Sequence, residues 1–137
     1  MSIVSSRTGT DLQLIRTGTH AERYNAFRDS VHELIRKDYS LALNVGQQNK
    51  HIEGTAEFDP KRSKLNAAPE ELIRLYAGRS NPIMPSNGIW NQRERFAHTF
   101  EIGVWRNEEG LLLPTNRGII HYSKRRGVHI VPADPRG

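Results

Sequence analysis

Two histidines and a serine near the end of the chain have residue types and spacing that suit acid–base chemistry. His121 and Ser123 are two residues apart, and His129 follows after a basic turn. Alternate side chains of a strand share one face, so a hairpin of these segments places all three on the same face. Histidine exchanges protons near neutral pH because its unperturbed pKa is about 6.5. The spacing therefore indicates a candidate acid–base site on one face of a C-terminal hairpin.

The turn of this hairpin determines the register that we expect. Three-residue loops commonly end in a left-handed glycine, which predicts a loop over residues 125–127. Ser123 then lies opposite His129, and His121 lies opposite Val131. The other face holds an apolar set that suits a core: Ile120, Tyr122, Val128 and Ile130. Because a slip by one residue would bury the histidines, the sequence favours an open polar face that carries them.

Metal-free cleavage of RNA needs a base for the 2′-hydroxyl, an acid for the leaving oxygen and a cation for the phosphorane. Histidines can fill the first two roles, and arginine or lysine can fill the third. An earlier polar stretch supplies His51, Lys50 and Arg62. Two alternatives remain open: a zinc site in which His51 joins the two hairpin histidines, and a polar sheet face without catalytic function.

The charge of the chain favours a polyanionic partner. Twenty Lys and Arg residues oppose fifteen Asp and Glu residues, which leaves a net charge of +5. From Leu111 onward the only acid is Asp134, against five basic residues: Arg117, Lys124, Arg125, Arg126 and Arg136. A local basic stripe indicates nucleic-acid binding better than the overall charge does.

The composition excludes several classes of protein. With 137 residues the chain has the length of one domain. No apolar run approaches the ~20 residues that a membrane span needs. The absence of cysteine excludes a disulfide scaffold, cysteine-ligated zinc and thiol nucleophiles.

Two helices are expected before the hairpin. Thr19 and Glu22 fit a capping box, and the apolar residues that follow recur at helical spacing, which predicts a helix over 19–37. A second, short helix is expected over 69–76, because Pro69 suits a first helical turn and a glycine follows the end.

The rest of the chain predicts loops and an antiparallel sheet. Residues 47–64 are expected to be a loop, and 79–94 an exposed loop in which Trp90 is available to stack on bases. Strands are expected over residues 100–106, 111–114, 117–124 and 128–131. This order predicts an α+β fold, with N-terminal helices packed on a small antiparallel sheet.

Several segments resemble the polymorphic toxin type 50 family. The segment Asn49-Lys50-His51-Ile52-Glu53-Gly54-Thr55 resembles the opening motif of that family, and Arg62-Ser63 precedes a short helix that ends in Tyr76-Ala77-Gly78. The ending is the most specific part, with His121-Tyr122-Ser123-Lys124 followed by His129-Ile130-Val131-Pro132-Ala133. The resemblance covers roughly residues 47–134.

The resemblance implies a fold like that of the barnase/EndoU/colicin/RelE-like nucleases and a metal-independent ribonuclease toxin that cleaves tRNA. Such domains end bacterial contact-dependent growth inhibition toxins, other secreted toxins and some phage head proteins, and a cognate immunity protein opposes them. Function maps onto eight residues: Lys50, His51, Arg62, Thr115, His121, Ser123, Lys124 and His129.

We therefore expect a lead-in and helical entry segment over residues 1–45 and a nuclease toxin domain over 46–137. The domain would be delivered as the C-terminal part of a larger protein and act in the target-cell cytoplasm. No cofactor or metal is expected, and the expected partners are RNA and an acidic immunity protein. The alternative is a non-catalytic RNA-binding or phage structural module.

Each candidate residue has an expected role. His51 and His129 are the acid–base pair, with His121 as substitute for either. Arg62 and Lys124 would stabilise the phosphorane, and Ser123 and Thr115 would donate hydrogen bonds to phosphate oxygens. The expected substrate-binding residues are Lys50, Arg117, Arg125, Arg126 and Trp90.

Overall fold

A computed structural model describes residues 18–137, and it confirms the α+β class. The three helices of the described part are α1 (His20–Asp38), α2 (Val45–Asn49) and α3 (Pro69–Tyr76). The seven strands are β1 (Lys64–Leu65), β2 (Asn81–Pro82), β3 (Arg93–Ala97), β4 (Gly103–Arg106), β5 (Leu112–Thr115), β6 (Arg117–Ser123) and β7 (Gly127–Pro132). They form two antiparallel sheets, ordered β1-β4-β5 and β2-β3-β6-β7, rather than the one small sheet that the sequence predicts.

Helix α1 begins where its capping signal predicts. The Thr19 hydroxyl accepts a hydrogen bond from the Glu22 N–H at 3.0 Å, and the Glu22 carboxylate accepts one from the Thr19 N–H at 2.8 Å. Three residues of its apolar stripe, Phe27, Val31 and Ile35, are buried in the same core as the four-stranded sheet. The division at residue 45 stays a prediction. Most of the expected lead-in, residues 1–17, lies outside the described part.

Strand β3 is the main element that the sequence reading missed. It lies across the end of the expected exposed loop, with Arg93, Arg95 and Ala97 exposed and Glu94 and Phe96 buried. A charged residue at an inward position hides the alternation of polar and apolar residues that identifies a strand. Sequence patterning therefore fails here because Glu94 is a buried acid.

Buried Glu94 joins three parts of the fold. Its carboxylate accepts hydrogen bonds from the Gly78 N–H at 2.9 Å and the Ser80 N–H at 2.8 Å, in the turn after α3. The Tyr122 hydroxyl of β6 and the His32 ring of α1 contact the same carboxylate. A buried carboxylate needs such partners, so Glu94 is a structural residue that fixes α1 and α3 on the sheet.

The prediction that Trp90 is exposed is wrong. The indole is 7% exposed and packs edge-on against Tyr39, with ring centroids 5.6 Å apart, and against Tyr122. Its N–H donates to the Arg93 carbonyl at 2.9 Å. The long loop can bury this residue because it folds back over the end of the core, so the indole is not free to stack on a base.

The hairpin of β6 and β7 has the predicted faces and a different register. His121 lies opposite His129, and Ser123 opposite Gly127, which is a shift of two residues from the prediction. An even shift leaves every side chain on its predicted face: Ile120, Tyr122, Val128 and Ile130 are buried. The turn is 124–126, since Gly127 is the first residue of β7 rather than the last of the loop.

Residues 42–48 cover the outer edge of β7. Val128 pairs with the chain at Leu43, where its N–H donates to the Ala42 carbonyl at 2.8 Å. Buried Gln48 of α2 accepts from the Ile130 N–H at 2.7 Å and donates to the Ile130 carbonyl at 2.9 Å. The prediction of a loop from residue 47 is wrong at its start, where α2 forms. This helix supplies hydrogen-bond partners to the edge of β7, which would otherwise be open.

Candidate active site at a histidine stack

Three histidine rings lie stacked against one face of the four-stranded sheet. His121 and His129 are directly opposed in β6 and β7, with ring centroids 4.8 Å apart and planes inclined by 23°. The His51 ring also stacks with His129, with ring centroids 6.2 Å apart and planes inclined by 19°. The fold thus joins the early polar stretch to the hairpin, as the acid–base hypothesis requires.

The histidine face is not open as the sequence analysis expected. His51 is 4% exposed, and both hairpin histidines are half-buried. The cover comes from the chain that follows α2, because Gln48 fixes that helix to the edge of β7 and His51 lies three residues further on. The expected faces are confirmed, but this cover makes the histidines less accessible than a bare sheet surface would.

His51 is held in one tautomer by a backbone carbonyl. Its Nδ1 lies 2.8 Å from the Ser63 carbonyl oxygen, which can only accept a hydrogen bond. Nδ1 therefore carries the proton, and in the neutral ring Nε2 has a free lone pair. Ser63 is held in turn, because its hydroxyl accepts from the Arg106 N–H at 3.0 Å. The geometry makes His51 Nε2 an oriented base.

All three rings are neutral at pH 7. Burial, the neighbouring histidines, Lys50 and Arg62 together lower the pKa of His129 to about 3, and burial has the largest effect. Burial and then Arg93 lower the pKa of His121 to about 4. The pKa of His51 is also lowered, chiefly by burial and then by Arg62 and Lys50. Bases are therefore available, and a histidine can act as an acid only after an added negative charge raises its pKa.

Three cations surround the stack. Lys50 and Arg62 lie in the chain that follows α2 and covers the histidines, and Arg62 also pairs with Asp59 at 3.1 Å. The third, Arg93, lies directly opposite His121 in β3. Arg93 was not among the residues predicted from the sequence, because Glu94 at an inward position hides the alternation of this strand. Together these charges suit an anionic ligand.

The prediction that Thr115 contacts phosphate is wrong in this geometry. The side chain is 2% exposed, and its hydroxyl donates to the Ala133 carbonyl at 2.7 Å and accepts from the Arg117 N–H at 3.0 Å. Its one proton is already used, so Thr115 fixes the corner between β5 and β6.

The other candidates lie along the same sheet face or at its turn. Ser123 shares the face of the histidines, and its hydroxyl accepts from the Arg126 N–H at 3.3 Å. Exposed Lys124, Arg125 and Arg126 form the turn beyond it. Arg117 also shares this face, four residues from His121. These roles remain predictions, and the charges that act on the histidines come from Lys50, Arg62 and Arg93 instead.

In residues 18–137, no three His, Asp or Glu side chains are arranged to hold one metal ion. A cavity of about 360 Å³ lies elsewhere, between the start of α1 and the edge strand β2, where Tyr24, Met84 and Arg95 line it. The same described part has no helix long and apolar enough to cross a membrane.

The comparison with known families identifies one match. The model of the family named bacterial toxin 50, or Ntox50, matches residues 43–132, well over half of the chain. This range starts where the chain covers β7 and contains all three stacked histidines. No curated protein matches the sequence.

Proposed function

The chain belongs to the bacterial toxin 50 family, and from that premise we propose that it is a metal-independent endoribonuclease of bacterial competition. The observation that carries the proposal is the stack of three neutral histidines with Lys50, Arg62 and Arg93 around it. We further propose tRNA as the substrate and the barnase/EndoU/colicin/RelE-like nucleases as the wider structural group.

His51 is the general base in this proposal. Its Nδ1–H donates to the Ser63 carbonyl, so Nε2 is the unprotonated nitrogen of the neutral ring and can take the proton of the 2′-hydroxyl. The oxygen then attacks the adjacent phosphorus, and the bond to the 5′-oxygen breaks. The products are a 2′,3′-cyclic phosphate and a 5′-hydroxyl.

A hairpin histidine supplies the proton to the leaving 5′-oxygen. His129 is the first choice because it stacks with both other rings, with His121 as substitute. Its pKa is low in the free protein, but a bound phosphate places negative charge beside it and opposes the effect of Lys50 and Arg62. Arg62 and Arg93 stabilise the charge of the phosphorane. In this role Arg93 replaces Lys124, which we expected from the sequence to act with Arg62.

Incubation of bulk tRNA with the purified protein in EDTA tests the proposal. We expect cleavage in EDTA and 2′,3′-cyclic phosphate ends, detected by the resistance of the fragments to 3′-ligation until the cyclic phosphate is opened and the resulting phosphate is removed. Loss of cleavage in EDTA with recovery on adding a divalent ion would refute the metal-independent mechanism. RNA binding without cleavage would favour the non-catalytic module.

A toxin family implies an immunity partner, and a bacterial toxin domain fits delivery as part of a larger protein. We propose that the target-cell cytoplasm is where it acts, since tRNA is found there. We also propose that the immunity protein is acidic and covers the histidine stack, because the surrounding cations must be neutralised in a tight complex.

A further inference from the structure

Gln48 is a polar residue of the interior that the proposed mechanism does not use. Its side chain is 1% exposed, and a buried amide needs hydrogen-bond partners from the protein because water cannot supply them. Both partners belong to one residue: the amide donates to the Ile130 carbonyl at 2.9 Å and accepts from the Ile130 N–H at 2.7 Å. Gln48 therefore pairs with β7 through its side chain as a neighbouring strand would through its backbone.

This amide completes the pairing of β7 on both sides of His129. Alternate residues of an antiparallel strand direct their backbone groups to the same side, and Val128 and Ile130 direct theirs away from β6. Val128 bonds the backbone of residues 42–44, with N···O distances of 2.8 and 2.7 Å. Ile130 bonds the side chain of Gln48 instead. The strand is thus held at the residue before His129 and at the residue after it.

The backbone of Gln48 holds the second ring. Its carbonyl accepts from the His51 N–H at 2.9 Å, in the turn that ends α2. The same residue therefore contacts the His51 backbone through its carbonyl and the strand beside His129 through its amide. Since the two rings stack with centroids 6.2 Å apart, a short connection between the backbones that carry them runs through Gln48.

An apolar side chain of the same length could not replace this amide. Methionine has about the length of glutamine but carries no N–H and no strong acceptor, so it would leave both Ile130 groups without partners in the interior. The contact of α2 with β7 would then be lost at this point. His51 follows α2 directly, so its ring would no longer be fixed beside His129.

Building on the ribonuclease function proposed above, we propose that Gln48 is a positioning residue whose amide holds His51 against His129 in the arrangement that transfers protons. Gln48 is not a catalytic residue, because it is buried and Ile130 uses both of its polar groups. Its loss should slow the chemical step more than it weakens RNA binding, since Arg93, which binds phosphate in the proposed mechanism, belongs to β3.

Gln48→Met tests this proposal by removing both hydrogen bonds. It should lower kcat for bulk tRNA in EDTA about 10- to 100-fold, which is the effect of a displaced catalytic group, with little change in KM. Histidine titration followed by NMR should show the pKa of His51 and His129 rising toward the ordinary value of about 6.5, because the rings lose burial when the cover loosens.

Gln48→Glu tests the same amide with a side chain of nearly the same shape. The carboxyl can accept from the Ile130 N–H, but it can donate to the Ile130 carbonyl only when it is protonated. Burial raises the pKa of such a carboxyl, so the ratio of its kcat to that of the wild type should rise as the pH is lowered from about 8 to 5. If Gln48→Met does not fold, this ratio decides.

The matched controls are Gln47→Met and Gln47→Glu. Gln47 precedes Gln48 in α2 and is half-buried, and within residues 18–137 its side chain makes no hydrogen bond. The methionine variant should keep the kcat and the histidine pKa values of the wild type. The glutamate variant places the same charge one residue away, and its kcat ratio should stay flat over the same pH range.

Wild-type kcat in folded Gln48→Met, or a ratio for Gln48→Glu that does not rise as the pH falls, would overturn the positioning role. If the wild-type protein cleaves no RNA, the ribonuclease function itself fails, which is a separate outcome. The NMR titration then still shows whether Gln48 holds the two rings together, because unchanged pKa values in Gln48→Met would refute that contact on their own.

Discussion

At the scale of single residues, the three stacked histidines are chemically different. His51 has one nitrogen bonded to a carbonyl and one free, whereas His129 stacks with two rings and His121 lies opposite Arg93 in the sheet. A neutral imidazole with a fixed tautomer is a prepared base. In the proposed mechanism one of the two others becomes the acid once substrate is bound, so the proposed roles follow from the surroundings rather than from the residue type.

Substitution of His51 by asparagine separates its chemical role from its structural one. The asparagine amide can still donate to the Ser63 carbonyl, but it has no basic nitrogen in the place of Nε2. We expect His51→Asn to lower kcat by about 10²- to 10⁴-fold while thermal melting stays near that of the wild type. His20→Asn, at an exposed residue of α1, should keep full activity. Wild-type cleavage by His51→Asn would remove His51 from the mechanism.

The pH dependence of cleavage should be displaced to the acid side. Burial and the nearby cations lower the pKa of all three histidines, to about 3 for His129 and about 4 for His121. Because the pKa values of both the acid and the base lie below 6.5, the bell-shaped profile of kcat/KM should peak below pH 6.5. Lys50→Gln should move the peak upward, because Lys50 lowers the pKa of His51 and His129. Bound phosphate should make the profile of kcat peak at higher pH.

The control for the pH prediction is Lys37→Gln. Lys37 is an exposed lysine of α1 that pairs with Glu33, and its removal should leave the peak in place. A peak of kcat/KM at pH 8 or above in the wild type would contradict the assignment of low histidine pKa values to catalysis.

The part of the site that could be predicted from the sequence is the face of the sheet on which its side chains lie. The faces of His121, Ser123 and His129 follow from alternation, which an even error of register leaves intact. Arg93 was not predictable in the same way, because buried Glu94 masks its strand. The burial of Trp90 and the covered histidine face depend on contacts between segments distant in sequence, which no local pattern contains.

At the scale of elements, the helices were the most predictable part. Capping residues and helical periodicity are local, and α1 and α3 lie where they indicate. Helix α2 and strands β1 and β2 are too short to show a period, and their formation depends on the neighbours that pair with them. The site needs α2 most, because this helix brings His51 to β7.

The start of β7 requires glycine for two separate reasons. Gly127 has φ +90°, and a Cβ there would lie 2.1 Å from the Ala42 carbonyl oxygen. Gly127→Ala should therefore destabilise the fold by more than the about 1–3 kcal/mol of backbone strain alone, measured by urea unfolding. Gly54 has φ +95° and no atom near an added Cβ, so Gly54→Ala should destabilise the fold only by the backbone strain.

Gly46 provides the control within α2. A Cβ there would meet no atom within 4 Å, and alanine in a helix is favoured over glycine by about 1 kcal/mol. Gly46→Ala should therefore leave the protein as stable or stabilise it. Equal effects of Gly127→Ala and Gly54→Ala would mean that the segment over 42–44 does not press against β7.

At the scale of the whole molecule, one core joins α1 and α3 to the four-stranded sheet, and the histidines lie on the opposite face. The proposed activity and the stability of the fold therefore depend on the same hairpin but on different faces of it. This separation allows the histidine face to carry charge and half-buried neutral rings without entering the apolar core.

The half-buried histidines should make the fold lose stability in acid. In the unfolded chain their pKa is about 6.5, and in the folded protein it is about 3 for His129. Below pH 6.5 the unfolded chain binds more protons, so the free energy of unfolding falls as the pH falls toward 3. His129→Asn should reduce this loss, measured as the difference in urea midpoint between pH 7.5 and 5.0. An identical difference in the wild type and the variant would show that His129 is readily protonated in the fold.

The immunity protein should recognise the positive charge around the histidine stack. Arg93 makes no ion pair within residues 18–137, and acidic side chains that reach it would be steered from a distance. We expect the association rate with the cognate immunity protein, measured by stopped flow, to fall about tenfold or more between low and high salt.

Arg93→Gln should slow this association, while Arg74→Gln, whose charge is already paired with Glu71, should not. The immunity protein should also compete with RNA, since both need the face in front of the histidine stack. An inhibitor that binds only residues 1–43 and leaves cleavage intact would contradict this, because it would separate protection of the producing cell from the site that does the chemistry.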